Sequence, residues 1–228
     1  MEDIFTDIYH NNSWNDPESV SGNGSRVSTT IDVVKGIVNL LDTLNIRSVL
    51  DIPCGDFNWM KTIDFKNITY IGADIVKALI QENTRKFSSN NVTFQHLDLV
   101  NSSLPTVDLI ICRDCLVHLS SKQIIKALAN ICRSKSTYLL TTTFPLSDLN
   151  KLLFTDNNQF YNLDIPTGKW RPIDLQLPPF NLPPFTKIIV ENCKDTLIFR
   201  DAKIPMSDKS LGLWKINDIE KVLPFNLD

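Results

Sequence analysis

Short apolar runs alternate with segments of helical periodicity through the middle of the chain. Five runs are typical of strands, at residues 49–52, 68–74, 92–98, 108–112 and 136–143. Four segments have the apolar spacing of helices, at residues 29–45, 56–63, 75–87 and 120–131. Strands that alternate with helices of this length pair in parallel, because each helix crosses over the sheet and covers one face. The sequence therefore predicts an α/β fold with helices on both faces of a mostly parallel sheet.

The length, the charge and the short apolar runs of the chain limit the classes of protein to which it can belong. A chain of 228 residues is long enough to bury the core of one α/β domain. Its 23 basic and 26 acidic residues are interspersed, which does not favour a nucleic-acid-binding surface. The apolar runs are far shorter than the roughly 20 residues that span a bilayer, and the acidic start of the chain is unlike a signal peptide. We therefore expect a soluble, cytoplasmic protein without membrane or nucleic-acid partners.

Five cysteines leave an odd thiol under any pairing, which argues against the disulfide framework of a secreted protein. Cys112 and Cys115 have the spacing of a zinc or redox pair, but no second pair of cysteines or histidines completes a zinc site. We therefore expect buried thiols and no metal site.

The first strand runs directly into a tight turn. Pro53 ends the strand, the chain turns at Gly55, and Asp56 is suited to begin the helix predicted over residues 56–63. This arrangement brings backbone N–H groups close to a ligand at the carboxyl edge of a sheet. A carboxylate at the strand end, Asp51, suits a cationic or hydroxyl-bearing ligand better than a phosphate.

Acidic residues end three consecutive strands, at Asp51, Asp74 and Asp98. In a doubly wound sheet these strand ends lie along one edge, where ligands bind. Asp74 is placed to accept hydrogen bonds from ribose hydroxyls, and Asp98 from an adenine amino group. The pair Arg113-Asp114 follows the fourth strand, where the reacting centre of such a site would lie.

These motifs resemble the class I S-adenosylmethionine-dependent methyltransferases. The resemblance rests on residues 49–56, 72–74, 97–99 and 108–114, within roughly half of the chain. It implies a Rossmann-like sheet of seven strands, the last antiparallel, with the final two strands near residues 187–191 and 211–216; residues 196–199 are a further candidate strand. Pro53 and Asp56 replace glycines of the family's usual turn. A pyrophosphate would be hindered there, whereas a cationic sulfonium tolerates the added carboxylate, which favours S-adenosylmethionine over a dinucleotide.

The resemblance implies cofactor contacts from the strand ends and from an N-terminal cap. These residues are Trp14, Ser21, Gly22, Ser25, Asp51, Pro53, Cys54, Gly55, Asp56, Trp59, Asp74, Ile75, Asp98, Leu99 and Arg113. Asp51 is expected to bind the methionine amino group, with a role as a strand-end cap as the alternative. For Asp98 the alternative is a turn-forming role before Leu99.

His118 follows the fourth strand by six residues and is the main candidate for the general base. An imidazole can remove a proton from a hydroxyl at neutral pH. Asp114 is the rival base, or a partner that orients the imidazole. The alternative for His118 is a packing role at the start of the next helix.

Residues 145–185 are rich in proline and are too long for an idle connection, so they are expected to bind the acceptor. The substrate-binding candidates there are Tyr161, Lys169, Trp170, Arg171 and Asp174. Together with the N-terminal segment and residues 113–120, this segment resembles a methyltransferase subgroup linked to sugar and glycan modification. The alternative for Trp170 is a hydrophobic plug on the sheet.

The interpretation is a single methyltransferase domain over residues 1–228. Its parts are an N-terminal cap or lid at 1–30, a cofactor-binding core at 31–144, a substrate-side segment at 145–185 and C-terminal strands at 186–228. The resemblance implies O-methylation of a sugar or glycan, with a glycosyltransferase as a candidate partner. The alternatives are another acceptor, such as a small molecule, protein side chain or RNA, and a non-catalytic cofactor-binding module.

Overall fold

The computed structural model describes residues 1–145, 162–199 and 202–223. The helices in these ranges are α1 Glu2–His10, α2 Ile31–Thr43, α3 Lys77–Phe87, α4 Ser121–Arg133 and α5 Ile216–Glu220. The strands are β1 Ser48–Asp51, β2 Thr69–Asp74, β3 Val92–His96, β4 Leu109–Cys112, β5 Tyr138–Thr143, β6 Lys187–Val190, β7 Thr196–Phe199, β8 Ala202–Pro205 and β9 Ser210–Lys215.

Seven strands form one sheet in the order β3-β2-β1-β4-β5-β9-β6. The strands from β1 to β5 pair in parallel, whereas β9 is antiparallel to both of its neighbours, β5 and β6. The predicted seven-stranded Rossmann-like sheet with an antiparallel last strand is therefore confirmed. The remaining strands, β7 and β8, form a separate hairpin.

The sheet order reverses between β1 and β4, and alternate side chains of these strands enter two different cores. Leu50 and Ile110 pack under α4, in a cluster that contains Leu128. Val49 and Leu109 pack on the opposite face, in the cluster that holds α2. Because both faces are covered, the polar strand ends are free only at the sheet edge, where the reversal leaves a crevice.

The predicted start of α4 is confirmed, since the Ser120 hydroxyl accepts a hydrogen bond from the Gln123 N–H at 3.4 Å. The helix predicted over residues 56–63 is wrong: the segment is a turn followed by one 3-10 turn, Met60–Thr62. The Asp56 carboxylate accepts from the Asn58 N–H at 3.3 Å, but it also accepts from the Ser19 hydroxyl at 3.0 Å and from the Val20 N–H at 3.1 Å, and no α-helix follows.

Three features of the described ranges concern membranes, metal ions and disulfides. Each helix there is too short or too polar to cross a membrane. No group of three or more His, Cys, Asp or Glu side chains in these ranges is placed to share a metal ion. All five cysteines are free thiols.

Candidate active site

A cavity of about 430 Å³ opens at the carboxyl ends of β1, β2 and β4. Its volume is in the range of small-molecule sites. Most of the predicted site residues line it: Trp14, Ser21, Gly22, Ser25, Asp51, Pro53, Cys54, Gly55, Asp56, Trp59, Asp74, Ile75, Leu99, Arg113, Asp114, His118 and Trp170. The topological reversal of the sheet thus gathers residues from the whole chain at one crevice.

The turn after β1 requires glycine at position 55. Gly55 has a left-handed backbone, with φ of +53°, and a Cβ at this position would collide with the Ser21 hydroxyl. Its N–H donates to Asp74 Oδ2 at 3.2 Å. The turn is therefore held between the N-terminal segment on one side and the end of β2 on the other.

Two buried carboxylates lie side by side at the ends of β1 and β2. Asp51 Oδ2 accepts from the Tyr70 hydroxyl at 2.6 Å, and burial raises the pKa of Asp51 to about 7. Asp74 accepts from the N–H groups of Gly55 and Val76, at 3.2 and 2.9 Å, and burial raises its pKa to about 6. Both groups gain from a cation, because a positive charge compensates for the hydration that the carboxylates have lost.

S-adenosylmethionine fits this donor and acceptor set. The carboxylates of Asp51 and Asp74 suit the ammonium group and the ribose hydroxyls, and neither would be compatible with a phosphate. Ile75 and Leu99 line the same cavity and supply apolar sides for a flat base. These four residues would hold the cofactor along the ends of β1 to β3.

Asp98 is not among the residues that line the cavity. Its Oδ1 accepts from the Val100 N–H at 2.7 Å, and its Oδ2 accepts from Asn101 Nδ2 at 2.8 Å. The Asp98 side chain thus forms the turn before Leu99, and no α-helix follows this turn before β4. The turn-forming alternative describes this geometry, and the adenine contact does not.

Residues 20–25, within the segment predicted as a cap or lid, line the cavity. Asp56 anchors this segment through Ser19 and Val20, and the Asn58 amide donates to the Ser25 carbonyl oxygen at 3.2 Å. Gly22 adopts a φ of +89° and packs against Trp14. Tertiary hydrogen bonds hold these residues in place. The apolar periodicity of the sequence gives no information about their position.

A cluster of four charged side chains, which we call the charge cluster, consists of Arg113, Asp114, Glu191 and Lys209. Arg113 makes a two-pronged contact with Glu191, with Nε–Oε1 and Nη2–Oε2 distances of 3.1 and 2.7 Å. Lys209 Nζ lies 2.6 Å from Asp114 Oδ2 and 3.4 Å from Glu191 Oε2. The Arg113 guanidinium also donates to the Gly24 carbonyl oxygen at 2.9 Å and lies over the Trp59 ring.

The sheet topology explains why these distant residues meet. Arg113 follows the end of β4, and Glu191 follows the end of β6. Because β9 is antiparallel, its first residues lie at the same edge, which brings Lys209 to the site. Glu191 and Lys209 were not predicted, since no local pattern marks a pairing across 78 or 95 residues.

Asp114 is held in an unusual conformation. Its φ is +51°, in the left-handed region that non-glycine residues rarely adopt, and its N–H donates to the Thr142 hydroxyl at 2.8 Å. Burial opposes ionisation, but Lys209 and Arg113 outweigh it and hold the pKa of Asp114 well below its usual range. Asp114 is therefore an ionised carboxylate at neutral pH.

His118 ends the 3-10 turn Leu116–His118 and lines the cavity beside Trp14. Its Nδ1 lies 2.9 Å from the Lys169 carbonyl oxygen. Because a carbonyl oxygen can only accept, Nδ1 carries the proton and Nε2 keeps its lone pair. Burial lowers the pKa of His118, so the neutral ring predominates at pH 7.

The substrate-side candidates divide into three groups. Trp170 lines the cavity, whereas the side chain of Lys169 is exposed and only its carbonyl oxygen takes part, through His118. Arg171 and Asp174 are buried and bind the protein itself: Arg171 donates to backbone carbonyl oxygens, and Asp174 accepts from the Gln176 N–H at 2.9 Å. Tyr161 lies outside the described residues.

Apolar residues that were not predicted as site residues complete the cavity wall. They include Met1, Phe5, Ile8 and Tyr9 at and after the start of α1, and Met206 after β8. Helical spacing placed three of the first four on one face of α1, but nothing in the sequence indicates that this face covers a ligand site. Ile4 packs against Gly168, and this contact holds α1 next to the cavity.

Comparison with known proteins agrees with this fold. Residues 49–136 match a family model described as a methyltransferase domain. A comparison with curated protein sequences found no match. The chain is similar in structure to PigF with SAH, with 18% identity and a TM-score of 0.54 over 82% of this chain and 56% of that chain. The chain thus spans little more than half of the PigF chain.

Two other solved structures are covered more fully. Magnesium protoporphyrin IX methyltransferase from Synechocystis PCC 6803, with bound SAH, aligns at 15% identity with a TM-score of 0.53 over 82% of this chain and 83% of that chain. The methyltransferase domain of bacterial-CtHen1-CN aligns at 12% identity with a TM-score of 0.51 over 81% and 97%. At these identities the likeness concerns the fold.

The domain match covers the strands and turns that carry the predicted cofactor contacts. The predicted class I fold is confirmed by the sheet order and by the structural likeness. The match to a methyltransferase domain supports the predicted enzyme class and cofactor, and the buried carboxylates Asp51 and Asp74 in that domain fit S-adenosylmethionine. The chain thus contains a methyltransferase domain over residues 49–136 and has the fold of the class I methyltransferases.

Proposed function

We propose that the enzyme methylates a hydroxyl group of a sugar or glycan, with His118 as the general base. The observation that carries this proposal is the hydrogen bond from His118 Nδ1 to the Lys169 carbonyl oxygen. This bond leaves Nε2 unprotonated on a ring that lines the cavity. A hydroxyl needs such a base, because an alcohol is a poor nucleophile until its proton is removed.

When bound, S-adenosylmethionine supplies a methyl group on a sulfonium whose sulfur keeps the electron pair of the broken bond. Asp51 and Asp74 would hold the cationic and hydroxyl-bearing parts of the cofactor at the strand ends. His118 Nε2 would take the proton of the acceptor hydroxyl, which makes the acceptor oxygen nucleophilic. The protein contributes mainly alignment and this proton transfer.

Asp114 is a poorer candidate for the base. Its pKa is held far below neutrality by Lys209 and Arg113, so its affinity for a proton is low. Burial lowers the pKa of His118 as well, but its ring keeps a lone pair on Nε2 that faces no cation in an ion pair among the described residues. The role that suits Asp114 is therefore binding of the acceptor rather than removal of its proton.

The acceptor side of the cavity combines polar groups with broad aromatic and aliphatic walls. Trp14, which packs against His118, and Trp170 line it, and Asp195 and Thr196 add polar groups. A sugar ring presents both apolar C–H faces and hydroxyl groups, and this mixture suits it. A glycosyltransferase that makes the acceptor is the partner expected for such an enzyme.

A small apolar metabolite with a hydroxyl group is the second candidate acceptor. The observation in its favour is the apolar wall formed by Phe5, Ile8 and Met206. Such a ligand would bury this wall more completely than a sugar does, and burial of apolar surface would contribute most of its affinity. RNA is disfavoured by the net charge of −3.

The experiment is a turnover screen with S-adenosylmethionine and methyl glycosides, nucleotide sugars, phenols and amines, with S-adenosylhomocysteine as the measured product. We expect turnover with members of the sugar set. Replacement His118→Ala should lower kcat by about 100-fold with the same acceptor, and cofactor affinity measured by calorimetry should stay unchanged. Methylation of only phenols would favour the second candidate, and methylation of only amines would overturn both.

A matched control is Glu82→Gln, which removes one charge from an exposed position of α3 that does not line the cavity. This variant should keep the turnover of the unmodified enzyme. A loss in Glu82→Gln as large as that in His118→Ala would mean that the screen reports stability rather than proton transfer.

A further inference from the structure

We propose that the acceptor is a vicinal diol, in which one hydroxyl gives its proton to His118 Nε2 while the neighbouring hydroxyl donates to Asp114 Oδ1. This inference rests on the proposed function and specifies the substrate class of the same site. It assigns Asp114 as the residue that selects acceptors with two adjacent hydroxyls. A lone alcohol, phenol or amine would satisfy only one of these two groups.

The contacts of Asp114 leave one of its oxygens available. Lys209 Nζ and Arg113 Nη1 both approach Oδ2, at 2.6 and 3.2 Å. Among the described residues, no hydrogen bond or ion pair ends on Oδ1, although the carboxylate is ionised. The side chain is 26% exposed and lines the cavity, so a ligand can reach it. An ionised oxygen of this kind accepts hydrogen bonds and donates none.

The second hydrogen-bond acceptor lies four residues from the first and lines the same cavity. Asp114 precedes the 3-10 turn Leu116–His118, which ends at the imidazole. The negative charge of Asp114 raises the pKa of His118 and so partly opposes the effect of burial. Two adjacent acceptors call for two adjacent donors on the ligand, and neighbouring hydroxyls of a sugar ring provide them.

Charge distinguishes a neutral diol from charged acceptors. The charge cluster contains two cations and two carboxylates, so its charges balance. Arg113 and Lys209 are both paired within it, and they leave no unmatched cation for a phosphate or carboxylate ligand. An ammonium group beside Asp114 would also face Lys209 and Arg113, which disfavour it. An uncharged polyol avoids both penalties.

The geometry of Asp114 is also unusually fixed for a surface-accessible carboxylate. Its left-handed backbone is held by the bond to Thr142, and its Oδ2 is held by Lys209. Strained, over-determined positions of this kind are concentrated at functional sites. A rigid acceptor of hydrogen bonds costs little entropy when a ligand binds, which suits a role in selecting the substrate.

The experiment compares each methyl glycoside that the enzyme methylates with its analogue that lacks the neighbouring hydroxyl. For the unmodified enzyme, removal of this hydroxyl should lower kcat/KM by about 10- to 100-fold, the range for a hydrogen bond to a charged group. Asp114→Asn should lower kcat/KM for the diol by a similar factor. The kcat/KM of this variant should not fall further when the neighbouring hydroxyl is removed. Equal sensitivity of both enzymes to that removal would overturn the proposal.

Asp114→Asn/Lys209→Met is the second variant, because it removes the carboxylate together with its cation and leaves Arg113 paired with Glu191. It should reproduce the indifference of the single variant and should bind cofactor normally in calorimetry. Glu82→Gln again serves as the charge control and should keep the preference for the diol. Efficient turnover of alcohols without a neighbouring hydroxyl would overturn the diol assignment alone, whereas methylation of only phenols or amines would overturn the proposed function as well.

Discussion

The indole ring of Trp14 packs against the imidazole ring of His118, with centroids 4.8 Å apart and planes inclined by 45°. One nitrogen of the same imidazole is bonded to the Lys169 carbonyl oxygen. The candidate base is therefore held by a side chain of the N-terminal segment and by the backbone of the proline-rich segment. Both contacts set the direction in which Nε2 points.

Loss of the indole should weaken this alignment. Aromatic pairs contribute roughly 0.5–1.5 kcal/mol, so Trp14→Ala should lower kcat by up to about tenfold, and Trp14→Phe should keep most of it. Because the ring of His118 also becomes better hydrated, its pKa should rise in Trp14→Ala. Steady-state kinetics over a range of pH measures both effects. An unchanged pH profile would mean that the indole does not shield the imidazole.

The rate of the unmodified enzyme should fall in acid. Burial lowers the pKa of His118 from its ordinary value of 6.5, and the protonated ring cannot accept a proton. The kcat should therefore be constant near pH 7 and decrease as the pH falls through the lowered pKa. In His118→Ala this decrease should disappear along with most of the rate. If the kcat of His118→Ala still decreased at the same pH, the decrease would belong to another titrating group.

Binding of cofactor should release a proton from Asp51. Burial raises the pKa of this carboxyl to about 7 in the cofactor-free protein, so it is largely protonated at pH 6. A bound cation favours the ionised form and lowers the pKa, which expels the proton. Calorimetry at pH 6 in buffers of different ionisation enthalpy should detect the release.

Two comparisons make this prediction specific. At pH 8.5 the carboxyl is already ionised, so binding should release little. Asp51→Asn, which keeps the shape of the side chain, should reduce the release at pH 6 to the part contributed by Asp74, whose pKa is about 6, and should weaken cofactor binding. Heats that do not depend on the buffer at pH 6 would contradict an amino-group contact from Asp51.

The stability of the turn at Gly55 should depend on Ser21. A left-handed backbone costs a residue with a Cβ roughly 1–2 kcal/mol, and the collision with the Ser21 hydroxyl adds to this. Gly55→Ala should therefore lower the free energy of unfolding by more than about 1 kcal/mol, as measured in urea. Gly55→Ala/Ser21→Ala should recover the part caused by the collision. Equal losses in both variants would assign the whole cost to the backbone.

Removal of one partner of the buried Arg113–Glu191 pair should be costly. Arg113→Met leaves Glu191 without its two-pronged partner in a buried position, and such losses amount to about 3–5 kcal/mol. Arg113→Met/Glu191→Leu removes both charges and should recover most of this free energy of unfolding. A double variant as unstable as the single one would show that Arg113 contributes through its packing over Trp59.

The sequence predicted the parallel part of the sheet well, because strands such as β4 are buried on both faces and are apolar throughout. The predicted helix after β1 failed for a tertiary reason. The carboxylate of Asp56 is used to anchor Ser19 and Val20, and only a 3-10 turn follows. Local pattern gives no information about such a partner 36 residues away.

In the candidate site, too, residues at strand ends were predictable, whereas residues positioned by tertiary contacts were not. Asp51 and Asp74 were predictable because each ends a recognisable strand. Arg171 was chosen for its residue type, yet its guanidinium donates to carbonyl oxygens and supports the turn that carries His118. Lys209 escaped prediction because its position depends on β9 entering the sheet in the antiparallel sense. Residue type alone therefore does not separate a ligand contact from a structural brace.

The position of β9 between β5 and β6 has a consequence for the newly synthesised chain. In this sheet β6 pairs only with β9, which lies later in the sequence. A ribosome that delivers the N-terminal strands first must therefore expose the edge of β5 and all of β6 until residues 210–215 emerge. Unpaired edges of this kind promote association between chains. Strand β9 therefore both pairs the edges of β5 and β6 and shields the growing chain from aggregation.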